Sequence, residues 1–524
     1  MDSRNTTHRR SCTEKLSESV FIGLCKILGT PQQFAMRRDV IEVMNMVQNY
    51  LEANTENYFW SGSYGEGFRI LGSDVDIMVW PTDHRVFWDK SQIRCYNGNR
   101  LVSILADSSE SPPGFTLLWF PVHRPNISVL SSSFRMKGRL YISSSKYIEN
   151  IILLAPSCIK HGPCALNVMG KGSEYDHAHC FASDFWPPSA SSWIGRCHSW
   201  PQPHVVQSVL RNGCHLVAIG HKLGNHENNE WRISFSVAEQ TLVYSMKHCQ
   251  LLTYGLLKLF LNEVINFQLS DERKLLCSYH MKTAIFWVLQ ENKISQWCQQ
   301  NLLECFWVCF KLILKWVYQG VCPNFFIPEN NMFLTKIHGD SQDTLFAKLH
   351  TLYERGCIPC LLQSPSIRSY IISALYTPRQ SIFIEDSTLI YEAVFDIELF
   401  REIHRNGTPN TLNLISLIKA LRKIEQLTRF LLTKYQGHND TFFDVKTGVR
   451  QKCTMYAVLF NLVIDWAMGK TTDDSQRGIC WGLFSTKPDG DTKEDIHCRL
   501  GKASRVYTEM NNIWRSAQYA LATS

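Results

Sequence analysis

Residues 33–53 place Val40, Val43, Met44 and Val47, then Leu51, at helical spacing, which predicts a long amphipathic helix. The pattern then shortens. Phe59-Trp60 leads into the turn-rich SGSYGEG, and Phe68–Leu71 and Val75–Trp80 read as two strands around a Gly-Ser turn. From 93 to 145 short apolar runs alternate with Ser, Pro and Gly, predicting further strands and loops, and 163–182 repeats a turn-strand pattern. After about residue 204 the period becomes helical, over 204–211, 236–266, 273–290, 295–319 and 342–355. Residues 412–435 and 451–468 are the best helices of a third region, and the polar stretch after 469 reads as loop. The expectation is an α+β front domain over 1–203, an all-helical second lobe over 204–345, and a mostly helical C-terminal extension over 346–524.

Composition changes this picture little. The chain has 524 residues, 45% hydrophobic and 19% charged, which fits a folded protein with a large core. A net charge of +7 permits an anionic partner without requiring one. The 19 cysteines are odd in number and irregularly spaced, which predicts reduced thiols and a cytoplasmic location. Cys357 and Cys360 form a lone C-x-x-C without a second pair, so no structural zinc is expected. The start of the chain lacks the apolar run of a signal peptide. The apolar stretches 251–266 and 302–317 carry too many charges to span a bilayer, so no membrane is expected.

The candidate chemistry lies at Gly62-Ser63 and Asp74-Val75-Asp76. On a strand, residues two apart share a face, so Asp74 and Asp76 stand side by side and repel unless a cation lies between them. Nucleotidyl transfer uses such carboxylates to hold two Mg²⁺ ions roughly 4 Å apart. Gly62 lets the backbone approach a phosphate, and Ser63 adds a hydroxyl and an amide. A third carboxylate is expected from a neighbouring strand, with Asp176 the first candidate and Asp184 the second. A β-turn followed by an edge strand would explain the same string without chemistry.

Further strings occur in order downstream: His161–Leu166 (HGPCAL), Trp186–Arg196 (WPPSASSWIGR), Trp200-Pro201, Glu230–Ser236 (EWRISFS), Ala238-Glu239, Tyr254–Lys258 (YGLLK), Leu276–Ala284 (LCSYHMKTA), Ser295–Trp297 (SQW) and Asn324–Glu329 (NFFIPE). With the GS…DVD element they resemble the animal cyclic GMP–AMP synthase-like receptors of the male-abnormal-twenty-one (Mab) nucleotidyltransferase superfamily. The resemblance covers about 60 to 335. It implies a nucleotidyltransferase-fold front domain, built of a mixed sheet and a long spine helix. It also implies Mg²⁺ or Mn²⁺ on Asp74, Asp76 and Asp176, and synthesis of a cyclic dinucleotide from ATP, GTP or other nucleoside triphosphates in innate immune signalling. Gly62 and Ser63 would cradle the donor triphosphate. Lys258 and Ser278 fall where the family contacts phosphates, Tyr279 where a ring stacks on a base, and Arg232 where a guanidinium meets a nucleobase. Lys282 reads equally well as a surface helix charge. The family's double-stranded RNA or DNA lies along the spine helix, which makes Arg37 and Arg38 the candidate nucleic-acid contacts.

The sequence departs from the family in two places. His177 stands where the family carries an apolar residue after the third acid, and His177 and His179 weaken the expectation of a strand there. No histidine followed by paired cysteines lies between Ser236 and Lys258, so the zinc insertion of the vertebrate synthase is not expected. Two other readings stand beside this one: a catalytically inactive Mab-family binding or signalling protein, and an enzyme adding single nucleotides to an RNA end, against which the WRISFS and SYHMKTA strings argue.

Overall fold

A computed structural model describes residues 2–51, 55–70, 73–95, 101–121, 127–154, 158–168, 174–270 and 273–376, together with residues 392 and 396. The helices expected at 412–435 and 451–468 lie outside the described residues. The chain divides into two compact units. One comprises residues 1–35 and 54–383, and the other 36–53 and 384–524.

Two helices open the chain, α1 (Asp2–Ile27) and α2 (Pro31–Leu51). The second is the long amphipathic helix expected from residue 33 onward, with Val40, Ile41 and Met44 buried. There follow β1 (Glu56–Ser61), the single turn α3 (Gly62–Gly65), β2 (Val75–Pro81), β3 (His84–Phe87), α4 (Lys90–Cys95), β4 (Val102–Asp107), β5 (Phe115–Phe120) and α5 (Ile127–Leu130). Then come β6 (Ser133–Met136), β7 (Arg139–Ile142), α6 (Ser144–Leu154), β8 (Cys158–His161), β9 (Cys164–Val168) and β10 (Glu174–Ser183).

Helices predominate after β10, but the lobe expected to be all-helical over 204–345 also contributes two strands to the sheet. After α7 (Ser191–Arg196) and α8 (Pro203–Asn212), only β11 (Cys214–Val217) and β12 (Glu230–Ser234) interrupt them. The rest are α9 (Ser236–Tyr244), α10 (His248–Phe260), α11 (Ser278–Gln290), α12 (Leu302–Gln319), α13 (Asp340–Arg355), α14 (Cys357–Leu361) and α15 (Pro365–Tyr376). The protein is thus α+β: a curled mixed sheet followed by a helical lobe.

The sheet runs β1-β2-β10-β11-β12-β5-β4-β3, with β9 and β8 continuing from β10 and with β7 and β6 beside β5. The β2–β10 pair is parallel and joins segments about a hundred residues apart, whereas β1 and β9 pair antiparallel with β2 and β10. Val75, Ile77 and Tyr175 are buried, each at 6% exposure or less, and they hold this register. One layer of aromatic rings behind the sheet comprises Tyr147, Phe181 and Trp231, with centroids 5.1 to 5.3 Å apart.

Two expectations about strands are corrected. Phe68–Ile70, the described part of the expected Phe68–Leu71 strand, is not a strand: Phe68 turns inward, and its ring meets Phe34 at 5.2 Å and Tyr254 at 5.3 Å, both edge-on. The two histidines do not break the strand at 174–183. His177 and His179 point to the face opposite Asp176, where burial lowers the affinity of both for a proton, so neutral imidazoles fit within β10.

Candidate active site

The site is built around the turn between β1 and β2. Gly62 adopts φ +61°, and a Cβ there would lie 1.8 Å from Asp76 Oδ2. Only glycine allows the turn to fold this tightly over the carboxylate. The turn is held from the helical side: Gln240 Nε2 donates to the Trp60 carbonyl at 3.0 Å, and the Tyr244 hydroxyl donates to the Gly65 carbonyl at 2.7 Å.

Asp76 of β2 stands opposite Asp176 of β10 in parallel register, and Ser61 of β1 stands opposite Asp76 on its other side. Partners directly across a sheet share a face, and adjacent strands lie about 4.8 Å apart. Asp74 precedes β2 and is exposed, whereas Asp176 is 7% exposed. Burial, with repulsion from Asp74 and then Asp176, raises Asp76 from an ordinary 3.8 to about 6. The Nδ1 of His161, at the β8–β9 turn, lies 3.2 Å from both oxygens of Asp176. Asp184 lies apart from this pair, at 3.4 Å from Arg85 Nε.

The same face carries a cation further along. Asp176 and Cys180 are four apart on β10, Cys180 is opposite Val217, and Val217 is opposite Arg232. Arg232 is exposed on that face, two strands from the carboxylates.

The helical lobe supplies the other side. Lys258 of α10 is 3% exposed, and its ammonium donates to the Ser63 hydroxyl. Its Nζ also lies 4.8 Å from the ring centroids of Phe68 and Tyr254. Burial lowers Lys258 from 10.5 to about 8, and Glu66 opposes the shift. Ser278 is the first residue of α11 and is exposed, where free backbone amides favour an anion. The Tyr279 hydroxyl donates to Glu239 Oε1 at 2.9 Å and accepts from Asn324 Nδ2 at 3.2 Å, which fixes the ring.

The sequence-predicted residues therefore fall into two groups. Gly62, Ser63, Asp76, Asp176 and Lys258 are linked by direct contact or register, and Asp74 acts on Asp76 electrostatically. Arg232, Ser278 and Tyr279 stand on the same sheet face or at the start of α11. Arg37 is placed differently from the expectation of an exposed phosphate contact. Its Nε and Nη2 each lie 2.9 Å from an oxygen of Glu392, and its side chain is 4% exposed. A phosphate would have to displace that bidentate pair. Arg38 is half-buried.

Three all-oxygen donors on one side of a turn suit a hard divalent cation. Their mutual repulsion, seen at Asp76, is what a cation would relieve. Among the described residues, however, no three His, Cys, Asp or Glu side chains converge closely enough to hold an ion as they stand. Cys357 and Cys360 form no such set, and both are free thiols. No described helix is long and apolar enough to cross a membrane.

Sequence reasoning gave no role to Glu66 and Glu239 and set Lys282 aside as a surface charge, yet all three stand behind the site at 9% exposure or less. The available signal was the apolar run around Glu239 and Lys282 in their helices, which is unusual for a solvated charge, whereas Glu66 follows a turn and gave no such signal.

Comparison with known proteins covers part of this chain. Residues 168–245 match the Mab-21 protein nucleotidyltransferase domain, and residues 249–351 match the Mab-21 protein HhH/H2TH-like domain. Asp176 and Arg232 lie in the first match, and Lys258, Ser278 and Tyr279 in the second. Cyclic GMP-AMP synthase from Mus musculus is 30% identical over 188 residues, covering 33% of this chain and 36% of that protein. The Sus scrofa cyclic GMP-AMP synthase is 30% identical over 187 residues, covering 33% and 37%. The alignment thus spans about a third of the length of these relatives. The chain carries a Mab-21 nucleotidyltransferase domain followed by a Mab-21 HhH/H2TH-like domain.

Proposed function

We propose that this chain, with its two Mab-21 domains, is a nucleotidyltransferase that joins two nucleoside triphosphates, ATP, GTP or others, into a cyclic dinucleotide. The observation that carries this reading is the facing pair Asp76 and Asp176 beside a glycine turn whose serine is gripped by a buried lysine. Mg²⁺ or Mn²⁺ bound at Asp74, Asp76 and Asp176 would supply charge neutralisation for the triphosphate and its departing pyrophosphate.

The chain's own residues do the rest. Gly62 and Ser63 cradle the donor triphosphate, and Lys258 and the amide end of α11 at Ser278 bind its oxygens. The Tyr279 ring, fixed through its hydroxyl, supports one base, and Arg232 meets the other. A ribose hydroxyl attacks the α-phosphorus. The bond to pyrophosphate breaks, the hydroxyl proton passes to Asp176 or solvent, and the step repeats to close the ring. Rate in this class comes from positioning and electrostatics, which is what a rigid turn provides.

The resemblance supports duplex RNA or DNA as activator, in a reducing, cytoplasmic setting. Binding would then weaken steeply with salt.

The second reading is a Mab-21 binding or signalling protein without catalysis. It is favoured by the contact of His161 with Asp176 and by the lack of a converged three-donor set among the described residues. Purified protein incubated with all four nucleoside triphosphates and Mg²⁺ or Mn²⁺, with and without duplex RNA or DNA, separates the two. A phosphatase-resistant product is expected. A folded protein that gives none under any duplex establishes the second reading.

A further inference from the structure

The turn and the α11 end of the site are joined by a buried ionic group that none of the roles above uses. Lys282 Nζ lies 2.7 Å from Glu66 Oε1 and 2.9 Å from Glu239 Oε2, with side-chain exposures of 11%, 2% and 8%. Each partner belongs to a different part of the site. Glu66 directly follows the Gly62–Gly65 turn, and the Tyr254 hydroxyl donates to its Oε2 at 3.3 Å. Glu239 lies on α9, and its other oxygen holds the Tyr279 hydroxyl. Lys282 itself is one helical turn beyond Ser278 on α11, and spacings of three and four put it beside both Tyr279 and Ser278.

Burying one ammonium and two carboxylates costs desolvation that the attraction only partly offsets, so such a group contributes definition of geometry more than stability. A hydrophobic residue would fill the space at less cost but would leave the turn free to shift against α11. We infer that Lys282 is a positioning residue: by bridging Glu66 and Glu239 it sets the spacing between the Gly62–Gly65 turn and the Ser278–Tyr279 end of α11. The triphosphate grip and the base platform then move as one body. This inference rests on the nucleotide reading for its functional consequence, but the brace itself is a matter of structure.

The experiment uses the full chain with Lys282→Met, Lys282→Arg and Glu239→Gln, and reads two quantities. Amide hydrogen exchange reports the turn (peptides covering 61–67) and the start of α11 (276–282). Steady-state kinetics with ATP and GTP report KM and kcat separately. Lys282→Met should speed exchange over 61–67 by about tenfold and raise KM by about tenfold with a smaller change in kcat, the pattern of lost binding geometry. Lys282→Arg, which keeps a cation able to bridge two carboxylates, should restore both measures to within about threefold. Wild-type exchange over 61–67 in Lys282→Met overturns the inference, as does an arginine variant as impaired as the methionine one. If Lys282→Met does not fold, Glu239→Gln takes its place. It keeps the Glu66 pair, and it should speed exchange over 276–282; unchanged exchange there overturns the inference. A wild-type chain that neither binds nor turns over nucleoside triphosphates fails the nucleotide reading alone, and the brace is then decided by exchange.

Discussion

Asp76 and Asp176 stand opposite one another in parallel register on β2 and β10, a hundred residues apart in sequence and one strand apart in space. Burial first, then repulsion from Asp74 and from Asp176, raises the proton affinity of Asp76.

Asp76→Asn should therefore have opposite effects on stability and function. Asp76 titrates at about 6 in the folded chain against an ordinary 3.8, so the folded state binds more protons across that window and its stability falls as pH rises through it. Above pH 6 the asparagine removes a penalty of about 1 to 3 kcal/mol. A thermal melt at pH 7.5 without metal should show Asp76→Asn melting above wild type. Mg²⁺ should raise the wild-type midpoint and leave the variant's unchanged, and product formation should be lost in the variant.

Gly62→Ala tests the close approach of the turn. The new methyl would meet Asp76 Oδ2 at 1.8 Å, and the backbone at φ +61° adds strain of about 1 to 2 kcal/mol. Gly138→Ala is the control, since its φ of +75° is strained too but nothing lies within 4 Å of the added carbon. Both variants should lose similar backbone stability. On the proposed function, Gly62→Ala alone should also lose turnover, by about a hundredfold, because it displaces a carboxylate proposed to hold the metal. Equal kcat/KM in the two variants would refute the role of the turn.

Lys258 gives a pH signature of its own. Its ammonium is present below about pH 8 and is lost above it. Affinity for the triphosphate should fall as pH rises through 8, measured as KM at fixed ionic strength. Stability moves the other way: the unfolded chain binds the extra proton between about 8 and the ordinary 10.5, so this group's contribution to stability rises across that range. A KM that is flat from pH 7 to 9 would remove Lys258 from the phosphate grip.

Arg37→Ala addresses α2. The bidentate pair with Glu392 is nearly buried on the arginine side, and its loss should cost roughly 2 to 3 kcal/mol in chemical denaturation. Pairing the change with Glu392→Ala should recover part of that loss, giving a measurable coupling energy. If Arg37 instead contacts phosphate, the single variant keeps its stability and lowers the salt slope of duplex binding by about one.

Patterns among residues close in sequence determined much of this protein. The apolar period placed α2, the helices from Ser236 to Gln319 and the β2 strand, because amphipathic spacing is a local property of a helix or strand. Gly62-Ser63 and Asp74-Asp76 were visible for the same reason, since a turn and two carboxylates on one strand face require only neighbouring residues. Tertiary structure decided the rest. Sequence ranked Asp176 before Asp184 as the third carboxylate, but it is the register of β10 on β2 that sets Asp176 across from Asp76, while Asp184 lies beside Arg85. Phe68–Leu71 has strand composition, but contacts with Phe34 and Tyr254 pull Phe68 out of any ladder. Arg37 and Lys282 read as helix charges facing water. Their carboxylate partners arrive from 355 residues downstream for Arg37 and from 216 and 43 residues upstream for Lys282. Whether a charge is solvated or buried depends on whether the fold brings an opposite charge to it, and spacing along one helix carries no information about that.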